Sequence, residues 1–183
     1  KIARRNFTLN ADLYQTQFQN QIIVDQETDS KLVSVSNLEG ESITTSALLS
    51  TTYEVISDLT LKLAYKWNHV EYDQAGVRIN KMLLPKNRAL IALHYTTPNK
   101  KWEFSNTTTW IGQQDYLERQ LIDNQTVQVR KTANSFVTTN AQVTKKWDKF
   151  DIYVGGENLT NHTQKNPIQA GSTPQSDLFD VSQ

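Results

Sequence analysis

The sequence predicts an all-β fold, an antiparallel up-and-down meander of about seven long strands that forms part of a transmembrane β-barrel. Three observations predict it. Apolar and polar side chains alternate along seven segments, the connections between them alternate between short and long, and aromatic residues gather at both ends of the segments. Alternation with a period of two residues indicates a strand with two chemically different faces.

The composition is compatible with such a barrel. The 183 residues carry 19 Lys+Arg and 19 Asp+Glu, and they include no Cys. The balanced charge gives no reason to expect a nucleic-acid partner, and the lack of Cys excludes disulfides and thiolate metal sites. The mean hydropathy of −0.58 is low, but barrel strands need apolar residues only at alternate positions, so low hydropathy does not exclude a membrane.

Seven segments show the alternation. They are Arg5–Gln15, Leu32–Val55, Leu59–Asn68, Met82–Thr96, Trp102–Trp110, Asn134–Trp147 and Phe150–Glu157. The third is the clearest, because a helix would spread its evenly spaced leucines around the whole cylinder. The second is the least regular, and Gly40 within it indicates a bulge or a close backbone approach. Residues 88–93, reading RALIAL, also suit a helix by propensity, and that alternative stays open.

The connections alternate in length. Short ones lie at Ile56–Asp58, Thr97–Lys101 and Lys146–Lys149, and longer ones at Asp25–Ser30, Asp73–Lys81, Gln113–Ala133 and His162–Gln183. Outer-membrane barrels have short turns on the periplasmic side and longer loops outside the cell. The sorting therefore favours a membrane barrel, in which about 9–11 residues per strand cross the bilayer.

Aromatic residues occupy two levels. Beside the short turns lie Tyr53, Tyr95, Trp102, Trp147 and Phe150, and towards the long connections lie Tyr65, Trp67 and Trp110. All except Tyr53, whose phase is undefined, share the apolar phase of their own segment. Two aromatic levels are typical of a protein whose rims meet the two membrane interfaces. Membrane lipid, including lipopolysaccharide, is thus an expected partner.

Seven strands form an open sheet, whereas bacterial barrels close with an even number of strands. Open edges in a bilayer leave backbone groups without hydrogen bonds. The expectation is that residues 1–183 are one part of a larger barrel and lack its closing strand.

The stretch Phe150–Asn161 carries a family resemblance. It ends in Glu-Asn-Leu-Thr-Asn (residues 157–161), and it resembles the penultimate strand of TonB-dependent outer-membrane receptors. The segments Asn6–Thr16, Tyr53–Asn68 and Lys81–Trp102 also look like late strands of that family.

The resemblance implies a function. Such receptors actively import scarce nutrients across the outer membrane of Gram-negative bacteria, through barrels plugged by an N-terminal domain. Residues 1–183 would be the C-terminal part of the barrel, supplying wall and extracellular loops, without the plug. The implied partners are the TonB complex, through that absent N-terminal part, and an unidentified small-molecule, metal-chelate or glycan substrate.

Seven residues are candidates for contact with a substrate. Lys62, Lys66, His94 and Glu157 share the polar phase of their segments and are expected to face the lumen. Tyr116, Arg119 and Arg130 lie in the long connection, and recognition residues concentrate in loops carried by rigid scaffolds.

No catalytic, cofactor or metal site is predicted. The three His residues lie in separate segments without metal-ligand spacing, and no catalytic motif is present, so an enzyme is not expected. A soluble secreted β-sandwich that binds carbohydrate is the main rival, because it accounts for the Asn, Thr and aromatic content. A passive porin or an autotransporter is a more distant alternative.

Overall fold

The computed structural model describes residues 6–25, 34–38, 40–74, 76–122 and 125–163. The strands, in chain order, are β1 (Phe7–Gln19), β2 (Ile22–Asp25), β3 (Ser34–Asn37), β4 (Glu41–Ile56), β5 (Leu59–Gln74), β6 (Val77–Asn80), β7 (Asn87–Thr96), β8 (Trp102–Ile111), β9 (Gln114–Ile122), β10 (Gln125–Ala133), β11 (Phe136–Lys146) and β12 (Asp151–Gly156). Within these residues the structure contains no helix long and apolar enough to cross a bilayer.

One antiparallel sheet dominates the structure, with the strand order β1-β4-β5-β7-β8-β11-β12 and β6 paired to the far end of β5. Neighbours along this path are also consecutive long strands of the chain, so the predicted seven-strand meander is confirmed. The helix alternative for residues 88–93 is wrong, because they lie within β7. The pairs β2–β3 and β9–β10 form two separate hairpins.

Three predicted boundaries need correction. The second long strand begins at Glu41 rather than Leu32, because residues 34–37 pair with β2 instead. The fourth begins at Asn87 rather than Met82, because residues 82–83 form a turn. The connection Gln113–Ala133 is mostly a regular hairpin, with Asp115 opposite Thr132 and Ile122 opposite Gln125.

The register sorts side chains onto two faces of the sheet. Leu63 lies opposite both Thr51 and Ile91, and the row continues from Ile91 to Thr108. We call this side, which also holds Leu9, Leu61 and Val143, the apolar face. Lys62 lies opposite Thr52 and Ala92 on the other side, which we call the polar face. Cross-strand partners share a face in any sheet, so the phases predicted strand by strand combine into two continuous surfaces.

The sheet has almost no buried core among the described residues. In the described part of the chain the buried core consists of Leu38, 3% exposed, with Ser42 the corresponding buried polar residue, also 3% exposed. Large apolar side chains such as Ile91, Val154 and Phe7 remain exposed on the apolar face. A β-sandwich packs a second sheet about 10 Å from the first, and no second sheet covers this one within the described residues. Within the described residues the main sheet is therefore not one half of a β-sandwich.

Gly40 meets the end of β5 at close range, which confirms the predicted close approach. Its φ is +139°, and a Cβ placed there would lie 2.7 Å from the Cβ of Asp73. Only glycine adopts this conformation without strain. The contact lets the Asp73 carboxylate accept a hydrogen bond from the Glu41 backbone N–H at 3.2 Å, so it joins the long-connection ends of β4 and β5.

Candidate functional site

An aromatic belt runs along the apolar face beside the short turns. Tyr95 stacks on Phe104 with ring centroids 6.2 Å apart, and Phe104 stacks on Trp102 at 6.4 Å. Trp147 stacks on Phe150 at 5.0 Å. At the far end of the sheet Phe7 meets Tyr53 edge-on at 6.3 Å. Each predicted aromatic of this level thus has an aromatic neighbour, and Phe7, which meets Tyr53, and Phe104 extend the set.

Lys145 belongs to the same belt. Its ammonium lies 4.3 Å from the ring centroid of Trp102 and 5.7 Å from that of Trp147. A lysine held over indole rings places its charge at the rim while its methylenes cover apolar surface. Sequence reasoning missed this residue, because a lysine next to the short connection Lys146–Lys149 indicates only the polar end of a strand.

A second aromatic level lies towards the long connections. Tyr65 donates a hydrogen bond to Asn87 Oδ1 at 2.7 Å, and Trp67 stacks on His69 with centroids 5.9 Å apart. Trp110 lies opposite Ala89 in the same region. Trp102 and Trp110 are eight residues apart on β8, roughly 26 Å along the strand. Because barrel strands tilt by about 40°, the two tryptophans are about 20 Å apart in height, so they lie near the two edges of an apolar band about 25 Å tall.

The apolar face changes its chemistry beyond Trp67. The next rows bring together Gln15, Thr45 and His69, and then Gln17, Ile43 and Glu71. His69 Nε2 lies 3.0 Å from Glu71 Oε1. β4 and β5, with 16 residues each, therefore extend beyond the second aromatic level. In this extension most side chains on the apolar face are polar.

The polar face gathers positive charge at its centre. The predicted residues Lys62 and Lys66 lie there on β5, whereas His94 lies on β7 opposite Thr60, the second residue of β5 after the short turn. The register adds Arg88, which lies directly opposite Lys66. Sequence reasoning missed Arg88 because the turn before β7 hides which residue faces Lys66. The His94 ring contacts Thr96 Oγ1 at 3.4 Å.

Glu157, the fourth residue predicted to face the lumen, follows the end of β12 and borders a groove of about 320 Å³ on the polar face. Gly155 lies opposite Gln142 in this groove, and Tyr153, 69% exposed, stands beside it. Glu157 lies far from the basic residues of β5 and β7, because β8 and β11 intervene. The four predicted residues thus lie apart, with Lys62 and Lys66 at the basic centre, His94 near the short turns and Glu157 beside the groove.

The hairpin β9–β10 carries the residues predicted for substrate recognition. Tyr116 pairs with Lys131, and Arg119 pairs with Gln128; the side chain of Arg119 lies outside the described part. Arg130 is not a free cation, because its guanidinium donates to the Asp115 carboxylate and forms an ion pair with it. Asp115 also accepts from Thr132 Oγ1 at 2.8 Å, and its backbone carbonyl accepts from the Leu83 N–H at 2.8 Å.

The Asp115 carboxylate therefore ties β9 to β10 at the base of the hairpin, and this predicts an acid-sensitive attachment between the two strands. Hydrogen bonds from Arg130 and then Thr132 hold the pKa of Asp115 below its ordinary value of 3.8. A lowered folded-state pKa means that the stabilisation is complete above pH 3.8 and is lost as the pH falls through the lowered value. We expect a carboxyl-carbon NMR titration to give a midpoint below 3.8 and Arg130→Gln to move it back up. A midpoint at or above 3.8 in the unsubstituted protein would contradict the attachment.

The segment Glu157–Asn161 leaves the sheet through a hydrogen-bonded turn. Asn158 Nδ2 donates to the His162 carbonyl at 2.8 Å, and Asn158 Oδ1 accepts from the His162 N–H at 3.0 Å. Thr160 Oγ1 donates to the Val137 carbonyl at 2.9 Å, and the Leu159 N–H donates to the Thr139 carbonyl at 2.7 Å. The motif that carries the family resemblance is thus a clip that ties the end of β12 to β11.

Replacing Asn158 should loosen this clip. Its φ is +48°, a left-handed conformation that asparagine adopts more readily than alanine. We expect Asn158→Ala to destabilise the turn by about 1–2 kcal/mol, which is roughly a five- to thirtyfold faster exchange of the Leu159 amide proton. Asn158→Gly keeps the backbone conformation and removes only the side-chain hydrogen bonds. Its Leu159 amide proton should therefore exchange faster than in the unsubstituted protein and more slowly than in Asn158→Ala. Unchanged exchange in Asn158→Ala would show that the side chain is not part of the clip.

Residues 1–159 match the profile of the family described as TonB dependent receptor-like, beta-barrel. No curated protein sequence matches the chain significantly.

Solved structures supply the fold comparison. The ferripyoverdine receptor of the outer membrane of Pseudomonas aeruginosa, bound to ferripyoverdine, superposes with a TM-score of 0.62 and 13% identity, over 84% of this chain and 21% of the receptor. The receptor FpvA of the same organism, bound to a heterologous pyoverdine, gives 0.63 and 13% over the same shares. The FpvAI–pyocin S2 complex gives 0.61 and 13%, over 83% and 21%. The chain spans about a fifth of the length of these neighbours, and the likeness concerns the fold.

Proposed function

The chain belongs to the TonB dependent receptor-like β-barrel family, and from that premise we propose that it forms the C-terminal part of the barrel of a receptor that actively imports a scarce nutrient across the outer membrane of a Gram-negative bacterium. This is a family of receptors and not a class of enzymes. In the proposed receptor the chain acts as wall and as extracellular loops, and energy comes from the TonB complex through another part of the protein.

One observation carries the proposal: a coreless sheet with an apolar face between two aromatic belts. Apolar side chains such as Leu63, Ile91 and Val154 are at least 38% exposed. Burying apolar surface is the main favourable term in folding, so a sheet that leaves this much exposed needs lipid on that side. The other face, lined by Lys62, Thr107 and Gln142, then faces an aqueous lumen.

The three substrate-recognition candidates, Tyr116, Arg119 and Arg130, all lie on the hairpin β9–β10. The hairpin β9–β10 lies on the long-connection side, which is the extracellular side of the proposed barrel. Tyr116 is half-buried and available for contact on the hairpin. Arg130 serves mainly as the partner of Asp115. The polar-face residues Lys62, Lys66, His94 and Glu157 line the proposed route further in.

The test uses the bacterium that encodes the protein. We expect the full-length protein to fractionate with the outer membrane, and a deletion strain to lose growth on a limiting nutrient that the parent imports. Loss of TonB should reproduce the defect, whereas a passive porin would keep transporting. Recovery of the protein in the soluble fraction, or uptake that persists without TonB, would contradict the proposal.

A further inference from the structure

The centre of the polar face holds two cations in direct opposition. Lys66 on β5 and Arg88 on β7 are cross-strand partners, and Lys62 lies on the same face four residues before Lys66. Like charges placed directly opposite each other destabilise a sheet. We call Lys62, Lys66 and Arg88 the basic patch.

No carboxylate neutralises the basic patch within the described residues. The described carboxylates that form ion pairs do so with residues outside the patch. The pairs include Glu103 with Lys146 at 2.6 Å, Asp73 with Arg78 at 3.0 Å, Glu71 with His69 at 3.0 Å, and Asp115 with Arg130. The Lys146–Glu103 pair lies on the same polar face. Glu54 lies diagonal to Lys62 on this face, but among the described residues it accepts a hydrogen bond from Asn6 Nδ2 at 3.0 Å and forms no ion pair with Lys62. Lys66 and Arg88 have no carboxylate opposite or diagonal to them on the neighbouring described strands.

Asp12 is the polar-face carboxylate in the same row as Lys66, and it lies too far away. Leu48 stands between them, since it is the partner of both Asp12 and Lys66. Two strand spacings amount to about 10 Å, which is close to the screening length at physiological salt. Asp12 can thus influence the patch only weakly.

The patch is open and elongated. Ala64 lies between Lys62 and Lys66, and Leu90 and Ala92 lie across from them on β7, so no bulky polar side chain fills the space. Lys62 and Lys66 are roughly 13 Å apart along the strand, and Arg88 is about 5 Å from Lys66. Arg offers a planar pair of donors that suits carboxylate or phosphate oxygens. A single small anion covers only one end of such an array.

We propose that Lys62, Lys66 and Arg88 form a binding site for a multiply charged anion, a solute that carries at least two carboxylate or phosphate groups. The inference rests on the proposed function in one respect, because it assumes that the polar face is the lumen wall. It then gives the substrate class at that wall: polyanionic solutes and anionic metal chelates bind, and cationic solutes do not.

Binding of citrate to the purified full-length receptor in detergent at low ionic strength, followed by calorimetry, tests the site. We expect citrate to bind, its affinity to fall with added sodium chloride, and the double substitution Lys66→Gln with Arg88→Gln to weaken it at least tenfold. The double substitution Lys101→Gln with Lys149→Gln removes the same number of charges at exposed positions beside short turns and should leave binding unchanged. Absence of citrate binding, or equal binding by the double variant, overturns the inference.

Charge reversal separates this site from an internal ion pair. Lys66→Glu places opposite charges on the two cross-strand partners, so we expect a higher Tm together with lost citrate binding. A lower Tm would mean that a carboxylate elsewhere in the receptor already holds Lys66, and the inference would fall. The proposed function has its own readouts: a receptor that still imports a nutrient TonB-dependently but binds no citrate refutes the inference alone. A protein that binds citrate but is not in the outer membrane refutes the proposed function alone.

Discussion

A lysine substitution at Ile91 is expected to destabilise the full-length barrel by about 2–4 kcal/mol, because this side chain lies on the apolar face between the two aromatic belts. Leu61→Lys should cost less, because Leu61 lies opposite Tyr53 at the level of the belt beside the short turns. Ile91, 47% exposed in the sheet, lies near the middle of that band. A charge at this depth has neither water nor a counter-ion. Urea unfolding of the protein refolded into lipid vesicles measures the effect.

Thr60→Lys and Thr107→Lys are the matched controls. Thr60 is the direct neighbour of Leu61 in sequence, but it lies on the polar face opposite Glu54. Thr107 lies opposite Ala92 and Asn140 on that same face. Both should cost well under 1 kcal/mol, because a lysine there points towards water. Ala92 is a poorer control, since its cross-strand partner is Lys62. Equal tolerance at all four positions would show that the apolar face does not meet lipid.

The meander could be predicted from sequence because each long strand has two different environments. Leu59 to Trp67 alternates strictly in sequence, and β5 alternates between the two faces in the structure. The short turns were equally readable: Pro98-Asn99 lies between β7 and β8, and Asp58 takes a positive φ of 66° between β4 and β5.

The hairpin β9–β10 could not be predicted from the sequence, because its two faces do not have different environments. It stands apart from the main sheet, so neither of its faces needs to be apolar. Its sequence, with Tyr116-Leu117 and Leu121-Ile122 as adjacent apolar pairs, shows no period of two. A polar composition then reads as an irregular connection.

Only part of the candidate site could be predicted from the sequence. Phase alone placed Lys62 and Lys66 on one face, but the pairing of Lys66 with Arg88 depends on register across β6 and the turn before β7. Register between strands joined by a long connection is set by packing and hydrogen bonding, which a single sequence does not display. The same limit hid Asp115, whose partner Arg130 lies across the hairpin.

Gly40→Ala is expected to be the most damaging of the glycine substitutions, since it combines two penalties. A non-glycine residue at φ +139° costs about 1–3 kcal/mol in backbone strain. The new Cβ also meets the Cβ of Asp73 at 2.7 Å, a position anchored to the backbone of β5. Moving Asp73 breaks its hydrogen bonds to Arg78 Nε, at 3.0 Å, and to the Glu41 N–H. The long-connection end of β4 should then separate from β5.

Substitution of either of two other glycines carries at most one of these two penalties. Gly76 has a φ of +78° and no atom within 4 Å of its added Cβ, so Gly76→Ala carries strain alone. Gly156→Ala carries neither fully, because its Cβ meets only the movable Cδ2 of Leu159, at 2.7 Å, without a positive φ. Urea unfolding of the three variants should rank them Gly40, Gly76, Gly156 from most to least destabilised. If Gly40→Ala is no worse than Gly76→Ala, the contact with Asp73 contributes nothing and the ends of β4 and β5 are joined in another way.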